Sequence, residues 1–104
     1  MNDNFYTLSL WKIKGGNRDE FLYVWKNEFV SEYLRYNPYS SATLIQSLEN
    51  PNVYYSFSPW ANLATLQSAR SDKKVRTVIS KLVELCIEAK PGSFKKIETI
   101  SGDK

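Results

Sequence analysis

The order of the predicted secondary-structure elements is the feature that most constrains the fold of this 104-residue chain. Alternating side chains predict strands at residues 5–13, 41–48 and 53–58, the last of which leads to Trp60. Apolar residues at spacings of three and four predict a helix from Asn17 to Asn37, a short helix from Asn62 to Ala69, and a third helix that begins at Ser71. An irregular last strand contains Phe94, Ile97 and Ile100. The order is therefore β-α-β-β-α-β, with a split second helix.

Turn and capping residues mark the boundaries of these elements. Asn17 followed by Asp19 and Glu20 is typical of a capping box at a helix start, and Asn62 and Ser71 are expected to cap the later helices. The remaining boundary signals are Gly15-Gly16 after the first strand, Asn37-Pro38 after the first helix, the hairpin turn Glu49-Asn50-Pro51-Asn52, and Pro91-Gly92 as the end of the last helix.

This order predicts an α+β fold, a ferredoxin-like βαββαβ sheet with the helices on one face. The first strand carries apolar side chains on both faces: Tyr6, Leu8 and Leu10 on one, and Phe5, Trp11 and Ile13 on the other. The helices cover one face of such a sheet, and an apolar face that they leave uncovered is rare on a monomer. We therefore expect two copies to pair through this face as a homodimer.

Length and composition indicate one domain, residues 1–104, that folds without a disulfide because it has only one Cys. The net charge of +3 is spread along the chain, which argues against nucleic-acid binding, and no apolar run is long enough to span a membrane. These features predict a cytoplasmic protein. The chain contains no His, which excludes Ser-His and Cys-His nucleophilic systems and His-based metal sites, and no phosphate-binding glycine loop is present. We expect no metal ion.

Several of these segments together resemble the antibiotic biosynthesis monooxygenase-like domains, which are dimeric α+β barrels. The resemblance covers nearly the whole chain. It consists of a first strand ending in Lys14-Gly15, a helix containing Asp19-Glu20-Phe21, a hairpin with Leu48-Glu49-Asn50-Pro51, Trp60 ahead of a capped helix with Leu63 and Leu66, and a late helix ending near Cys86. These motifs specify a fold more closely than a reaction.

The resemblance implies a cofactor-independent monooxygenase that acts on an electron-rich aromatic substrate of the anthrone or hydroquinone type. The haem-degrading members of the family use an Asn, a Trp and a His; here Leu8 and roughly Ala69 occupy the first two positions, and there is no His. We therefore expect no cofactor. The substrate itself would supply electrons to oxygen, and the protein would bind the ring and stabilise an anion.

A small aromatic partner requires an apolar slot, hydrogen-bond donors and a cation. The chemically suitable side chains, which are the candidate substrate-binding residues, are Trp11, Tyr33, Tyr36, Tyr55, Trp60, Gln67, Arg70 and Arg76. Each also has a structural role available: Trp60 can pack between sheet and helix, the tyrosines can be half-buried, and helix arginines are usually solvated. Catalytic residues are not identified. Cys86 reads as a small buried hydrophobe, and Asn62 as a helix cap.

Two other functions are compatible with this order of elements. An RNA-recognition domain shares it, but the third strand lacks the Lys/Arg-Gly-aromatic signature of that domain. The stronger competitor is a non-catalytic dimer of the same fold that binds a small molecule or has a regulatory role, since neither this function nor the oxygenase demands a diagnostic residue.

Overall fold

The computed structural model describes residues 4–102 and contains one four-stranded antiparallel sheet with all helices on one side. The elements are β1 (Phe5–Ile13), α1 (Arg18–Val24), a π-helical turn (Trp25–Phe29), α2 (Val30–Tyr36), β2 (Thr43–Gln46), β3 (Val53–Trp60), α3 (Leu63–Ser71), α4 (Lys73–Glu84) and β4 (Cys86–Lys95). The strand order β2-β3-β1-β4 is that of a ferredoxin-like βαββαβ unit. The predicted fold class and helix placement are confirmed.

The two central strands, β1 and β3, determine which side chains face the helices. They pair antiparallel, with Phe5 opposite Trp60 and Trp11 opposite Tyr54. On both strands every second residue is buried beneath the helices, while the residues between them point away. The expected alternation of the first strand is therefore correct, and it places Trp11 and Ile13 on the helix side.

The sheet face away from the helices, here called the open face, is mainly apolar. Register places Leu8 opposite Phe57, and both side chains are only partly buried. According to the strand register, the large side chains on this face are Tyr6, Leu8, Leu10, Ile45, Val53, Tyr55, Phe57 and Phe94. No element formed by residues 4–102 covers this face.

The first helix runs from 18 to 36 with a π-helical turn in its middle, which the sequence pattern does not reveal. Trp25, Phe29 and Tyr33 follow one another at intervals of four, and their rings contact in series at centroid distances of 6.3 and 4.4 Å. Spacing of this kind suits an α-helix equally well. Phe29 also lies edge-on to Trp11, so this aromatic series joins the helix to the sheet.

Two of the three expected helix caps differ from prediction. The Asn17 side chain makes no capping hydrogen bond; its Nδ2 instead donates to the Leu85 carbonyl at 3.3 Å and joins the start of α1 to the end of α4. Ser71 is the last residue of α3, and Asp72 caps α4 by accepting from the Lys74 and Val75 amides. The Asp72 carboxylate is negatively charged and the Ser71 hydroxyl is neutral, so Asp72 interacts more favourably with the positive end of the helix dipole.

The strand bounds also differ from prediction, most of all at the end of the chain. Pro91-Gly92 does not end a helix but lies within β4, which begins at Cys86. A proline is tolerated there because β4 is an edge strand. Gly92 lies against the ring of Phe94, 2.8 Å from where a Cβ would stand, so the absent side chain makes room for that ring. Ile97 and Ile100 lie beyond the strand and are exposed.

The remaining bounds differ by a few residues. β2 is shorter than the predicted 41–48, ending at Gln46, and Leu48 is exposed. β3 runs from Val53 to Trp60, so Trp60 closes the third strand as predicted, two residues beyond the alternating segment 53–58. Along α4, Val75, Val78 and Leu82 are buried as the helical spacing predicts.

Asp72 joins three parts of the structure, and we expect this to control acid stability. It accepts hydrogen bonds from Tyr36 and Arg35 of the first helix and caps α4. Hydrogen bonding, first of all from the Tyr36 hydroxyl, lowers the pKa of Asp72 to about 2. Because the folded-state pKa lies below the unfolded-state value of about 4, this stabilisation is complete above that value and is lost as pH falls towards 2.

We predict that Asp72→Asn lowers the thermal midpoint by roughly 5 °C at pH 7, and that the difference from wild type shrinks between pH 4 and pH 2. Circular dichroism melts across this pH range measure both. Glu49→Gln, an exposed carboxyl in the turn after β2, is the matched control and should leave the midpoint unchanged. Identical melts of Asp72→Asn and wild type would contradict the assignment.

Candidate functional site

A patch of four buried hydroxyl side chains lies under the helices, at the centre of the sheet. It consists of Thr7 and Ser9 on β1 and Ser56 and Ser58 on β3, all of them buried. The strand register puts Thr7 directly opposite Ser58 and Ser9 directly opposite Ser56. A sheet face that packs on helices is usually apolar at this point. This hydroxyl patch is therefore the polar centre of an otherwise apolar layer.

Trp11 and Trp60 stand at opposite ends of the hydroxyl patch and bond to it reciprocally. The Trp11 Nε1 donates to Ser56 Oγ at 2.9 Å, and the Trp60 Nε1 donates to Thr7 Oγ1 at 3.2 Å. Each indole thus reaches the neighbouring strand, and both Trp side chains are fully buried. The hydroxyl patch therefore lies between the two indole rings, one at each end.

Tyr33, from α2, covers the Trp60 end of the patch. Its ring meets that of Trp60 edge-on at a centroid distance of 5.6 Å, and only 2% of the residue is exposed. Burial raises the pKa of Tyr33, and the nearby Arg70 guanidinium and Thr7 hydroxyl oppose this effect without cancelling it. The phenol is consequently protonated at neutral pH and able to donate a hydrogen bond.

Arg70, from α3, brings a cation to the same place. Its Nη1 is buried and has no hydrogen-bond acceptor among residues 4–102. Buried guanidinium nitrogens are normally paired, because the unmade hydrogen bond is costly. The geometry therefore leaves one strong donor unused beside Tyr33.

An open cleft of about 200 Å³ lies at the edge of the layer between α3 and the sheet. We call it the edge cleft; its lining residues are Phe5, Leu63, Leu66, Ser93, Phe94 and Lys95. Its walls are mostly apolar. Phe5 precedes Thr7 on the helix-facing side of β1, so the edge cleft lies next to the hydroxyl patch.

The structure brings together three of the eight candidate residues, Tyr33, Trp60 and Arg70, and places a fourth, Trp11, at the opposite end of the hydroxyl patch. The other four lie elsewhere. Tyr55 is on the open face and 41% exposed, and Gln67 is exposed on α3. Tyr36 donates to Asp72 at the helix junction, and Arg76 lies exposed on α4 in a groove with Lys73, Thr77 and Ser80.

The sequence interpretation missed the hydroxyl patch, although a signal for it exists. Residues 7–11 read T-L-S-L-W and residues 56–60 read S-F-S-P-W, so both central strands carry the pattern hydroxyl-x-Ser-x-Trp. In a strand these three positions share one face. Two antiparallel copies of the pattern necessarily place each Trp near the first hydroxyl of the other.

Two other residues have structural roles. Asn62 caps α3, as predicted, by accepting from the Thr65 amide at 3.1 Å. Cys86 begins β4 rather than ending a helix stripe, and burial raises the pKa of its thiol to about 11, so it is not a nucleophile at neutral pH. Within residues 4–102 no group of His, Cys, Asp or Glu could hold a metal ion, and no helix has the length and apolar character needed to cross a membrane.

Comparison with known proteins extends the description of the fold. No protein-family model matches the sequence, and no curated protein matches it. Among solved structures, the chain is similar to SnoaB, a cofactor-independent oxygenase from Streptomyces nogalater, with a TM-score of 0.80 at 17% identity over 97% of this chain and 100% of that one. It is also similar to an antibiotic biosynthesis monooxygenase, with a TM-score of 0.70 at 12% identity over 90% of this chain and 99% of that one.

A NIPSNAP family protein from Agrobacterium tumefaciens shares the fold as well, with a TM-score of 0.68 at 14% identity over 94% of this chain and 90% of that one. Likeness at such identities establishes a fold and leaves the activity open. The resemblance found in the sequence is thus confirmed at the level of architecture: the chain has the α+β fold of the antibiotic biosynthesis monooxygenase-like proteins.

Proposed function

We propose that this chain is a cofactor-independent monooxygenase that oxidises a small electron-rich aromatic molecule held between the sheet and the helices. The observation that carries the proposal is the hydroxyl patch enclosed by Trp11 and Trp60, with Tyr33 above it. Flat apolar walls and a few fixed polar groups are the usual composition of a site for an aromatic ligand. The fold that this chain shares with a cofactor-independent oxygenase supports the same proposal.

The size of the edge cleft favours a hydroquinone over an anthrone. At about 200 Å³ it is smaller than typical drug-sized sites, and a single ring suits it better than three fused rings. In the reaction one ring C–H bond and both phenol O–H bonds of the hydroquinone break, one C–O bond forms and the O–O bond of oxygen breaks. Of the three hydrogens released, one stays on the new hydroxyl and two leave as water with the second oxygen atom. The product is a hydroxyquinone. All four electrons that reduce O₂ come from the substrate, so no cofactor is required.

Tyr33 and the hydroxyl patch act on the charge that develops during this reaction. The hydroquinone first loses one phenol proton to bulk water through the open edge cleft, and the resulting phenolate is the electron donor to oxygen. The Tyr33 hydroxyl, kept protonated by burial, donates a hydrogen bond to that anion. Thr7, which follows Phe5 inward from the edge cleft, offers its hydroxyl to the second oxygen of the ring, while the buried Trp60 excludes water at that end of the patch.

The proposal includes a homodimer formed through the open face. Its apolar side chains belong to strands whose other face is already covered by helices, and a second copy would present the same apolar surface in return. Burying such a face adds to stability in proportion to its apolar area. A cytoplasmic location is also part of the proposal, because the single Cys is buried and reduced.

A second candidate function is a non-catalytic dimer that binds a small molecule. The two indoles already occupy hydroxyls of the patch, which favours a packed interior over an open one. The fold neighbours likewise include proteins without a stated activity, such as a conserved protein from Methanosarcina mazei. Turnover separates the two functions.

We predict oxygen uptake when the protein meets hydroquinone in buffer freed of metal ions by chelation, above the rate of autoxidation without protein. Tyr33→Phe should lower kcat by about 100-fold, since it removes one donor to the anion. An oxygen electrode and chromatographic detection of the hydroxyquinone measure the reaction. Tyr23→Phe, at an exposed position of α1, is the control and should keep wild-type turnover. Uptake no faster than autoxidation with a panel of hydroquinones and anthrones would favour the binding protein instead.

We predict that the wild-type chain is dimeric and that Leu8→Lys makes it monomeric. Leu8 lies opposite Phe57 and Gly92 at the middle of the open face, and an added charge there would have to be buried in the interface. Light scattering coupled to size exclusion gives the mass of each variant. Val83→Lys places the same charge on the exposed side of α4 and should stay dimeric. A monomeric wild type, or a dimeric Leu8→Lys, would remove the open face as the interface.

A further inference from the structure

Arg70 carries a charge that nothing in the described chain compensates. None of the ion pairs formed by residues 4–102 includes it, and its Nη1 is buried without an acceptor. The nearest carboxylate in sequence, Asp72, is engaged by Tyr36, by Arg35 and by the α4 amides. Arg70 is only partly buried, but its Nη1 is enclosed, and an enclosed donor without an acceptor costs stability, so its retention points to a ligand.

The charge lies next to the edge cleft. Leu63, Leu66 and Arg70 follow one another at helical spacings of three and four, so they share one side of α3, and the first two line the edge cleft. Helix side chains lean towards the N-terminus, which directs Arg70 back over Leu66 and towards that space. On the sheet side, Phe5 lines the edge cleft and Thr7 follows it inward.

We propose that Arg70 binds a carboxylate carried on the aromatic ring of the ligand, beside the phenolate oxygen that Tyr33 contacts, so that the site selects aromatic acids over neutral phenols. This deepens the proposed function and rests on the same site. The guanidinium fork of Arg70 can offer N–H donors to the two oxygens of one carboxylate. A ligand of this class enters through the edge cleft, with its acidic group leading and its ring against Leu66 and Phe5.

The charge argument favours a carboxylate over water or a neutral phenol. Water can accept a hydrogen bond from Nη1 but brings no negative charge. Tyr33 does not supply it either, because burial keeps its phenol protonated. A hydroquinone is uncharged at neutral pH, whereas an aromatic carboxylate is fully ionised. Only the acid compensates the guanidinium at the moment of binding.

The test compares gentisate, its methyl ester and hydroquinone by titration calorimetry under anaerobic conditions. Wild type should bind gentisate at least 10-fold more tightly than the other two. Arg70→Met should lose this preference, with a 10- to 100-fold weaker affinity for gentisate alone, and Arg70→Lys should retain part of it. Arg76→Met removes an exposed arginine from α4 and should bind all three probes as wild type does.

Thermal melts without ligand separate a binding role from a structural one. If Arg70 is kept for a ligand, Arg70→Met removes an enclosed donor that has no acceptor and should melt at the wild-type temperature or above it. A midpoint several degrees lower would make Arg70 a structural residue and overturn the proposal. Equal affinity of wild type for gentisate and its ester, or no binding of gentisate below 1 mM, would overturn it too.

The outcome is independent of turnover. Selective, Arg70-dependent binding of gentisate without oxygen uptake would retain this inference and replace the monooxygenase by a binding protein. Oxygen uptake that is the same in wild type and Arg70→Met would retain the monooxygenase and discard the role of Arg70.

Discussion

The reciprocal pair of indole–hydroxyl bonds between β1 and β3 is the constraint on which the rest of the structure depends. Trp11 and Trp60 are fully buried, and an indole N–H buried without an acceptor costs about 1–3 kcal/mol. Each finds its acceptor on the neighbouring strand, Ser56 in one case and Thr7 in the other. A slip by one residue would break both bonds, because it would turn one strand's hydroxyls to the open face. The polar centre therefore fixes how the two central strands pair.

The helices are placed by the same side chains. Phe29 packs edge-on against Trp11, and Tyr33 packs edge-on against Trp60, so the first helix spans the distance between the two indoles. The π-helical turn ends at Phe29, between these contacts, and π turns often occur where a helix serves a site. With Tyr33 fixed at the Trp60 end, α3 brings Arg70 to it from the other side. Site and core are thus built from one aromatic series.

Strand alternation and helical spacing predicted most of the fold from the sequence, whereas the local signals for element boundaries predicted least. The order of elements, the two faces of β1 and the buried side of α4 follow from periods of two and 3.6 residues, which packing enforces over many residues. The caps at Asn17 and Ser71 and the position of Pro91-Gly92 depend on single contacts with distant residues: Asn17 bonds to Leu85, and an edge position accommodates Pro91. The alternation of side chains along β3 could by itself have shown that Tyr55 and Trp60 lie on opposite faces of the sheet. The partnerless state of Arg70 could not be inferred, because it depends on where every carboxylate lies.

The two proposals for this chain derive from the unusual placement of polar and apolar side chains on the two faces of the sheet: buried hydroxyls under the helices and apolar side chains on the open face. Beneath the helices, where burial is deepest, β1 and β3 carry hydroxyls, and on the open face they carry large apolar side chains. A monomer optimised for stability alone would have the opposite arrangement, since buried polar groups contribute little net energy and exposed apolar ones contribute none. A second copy bound to the open face would bury its apolar side chains and so add the hydrophobic stabilisation that they lack when exposed. A ligand under the helices would likewise add to stability, because it would supply the partner that the Arg70 guanidinium lacks. Under the two proposals, ligand binding and self-association would each complete one face of the same sheet.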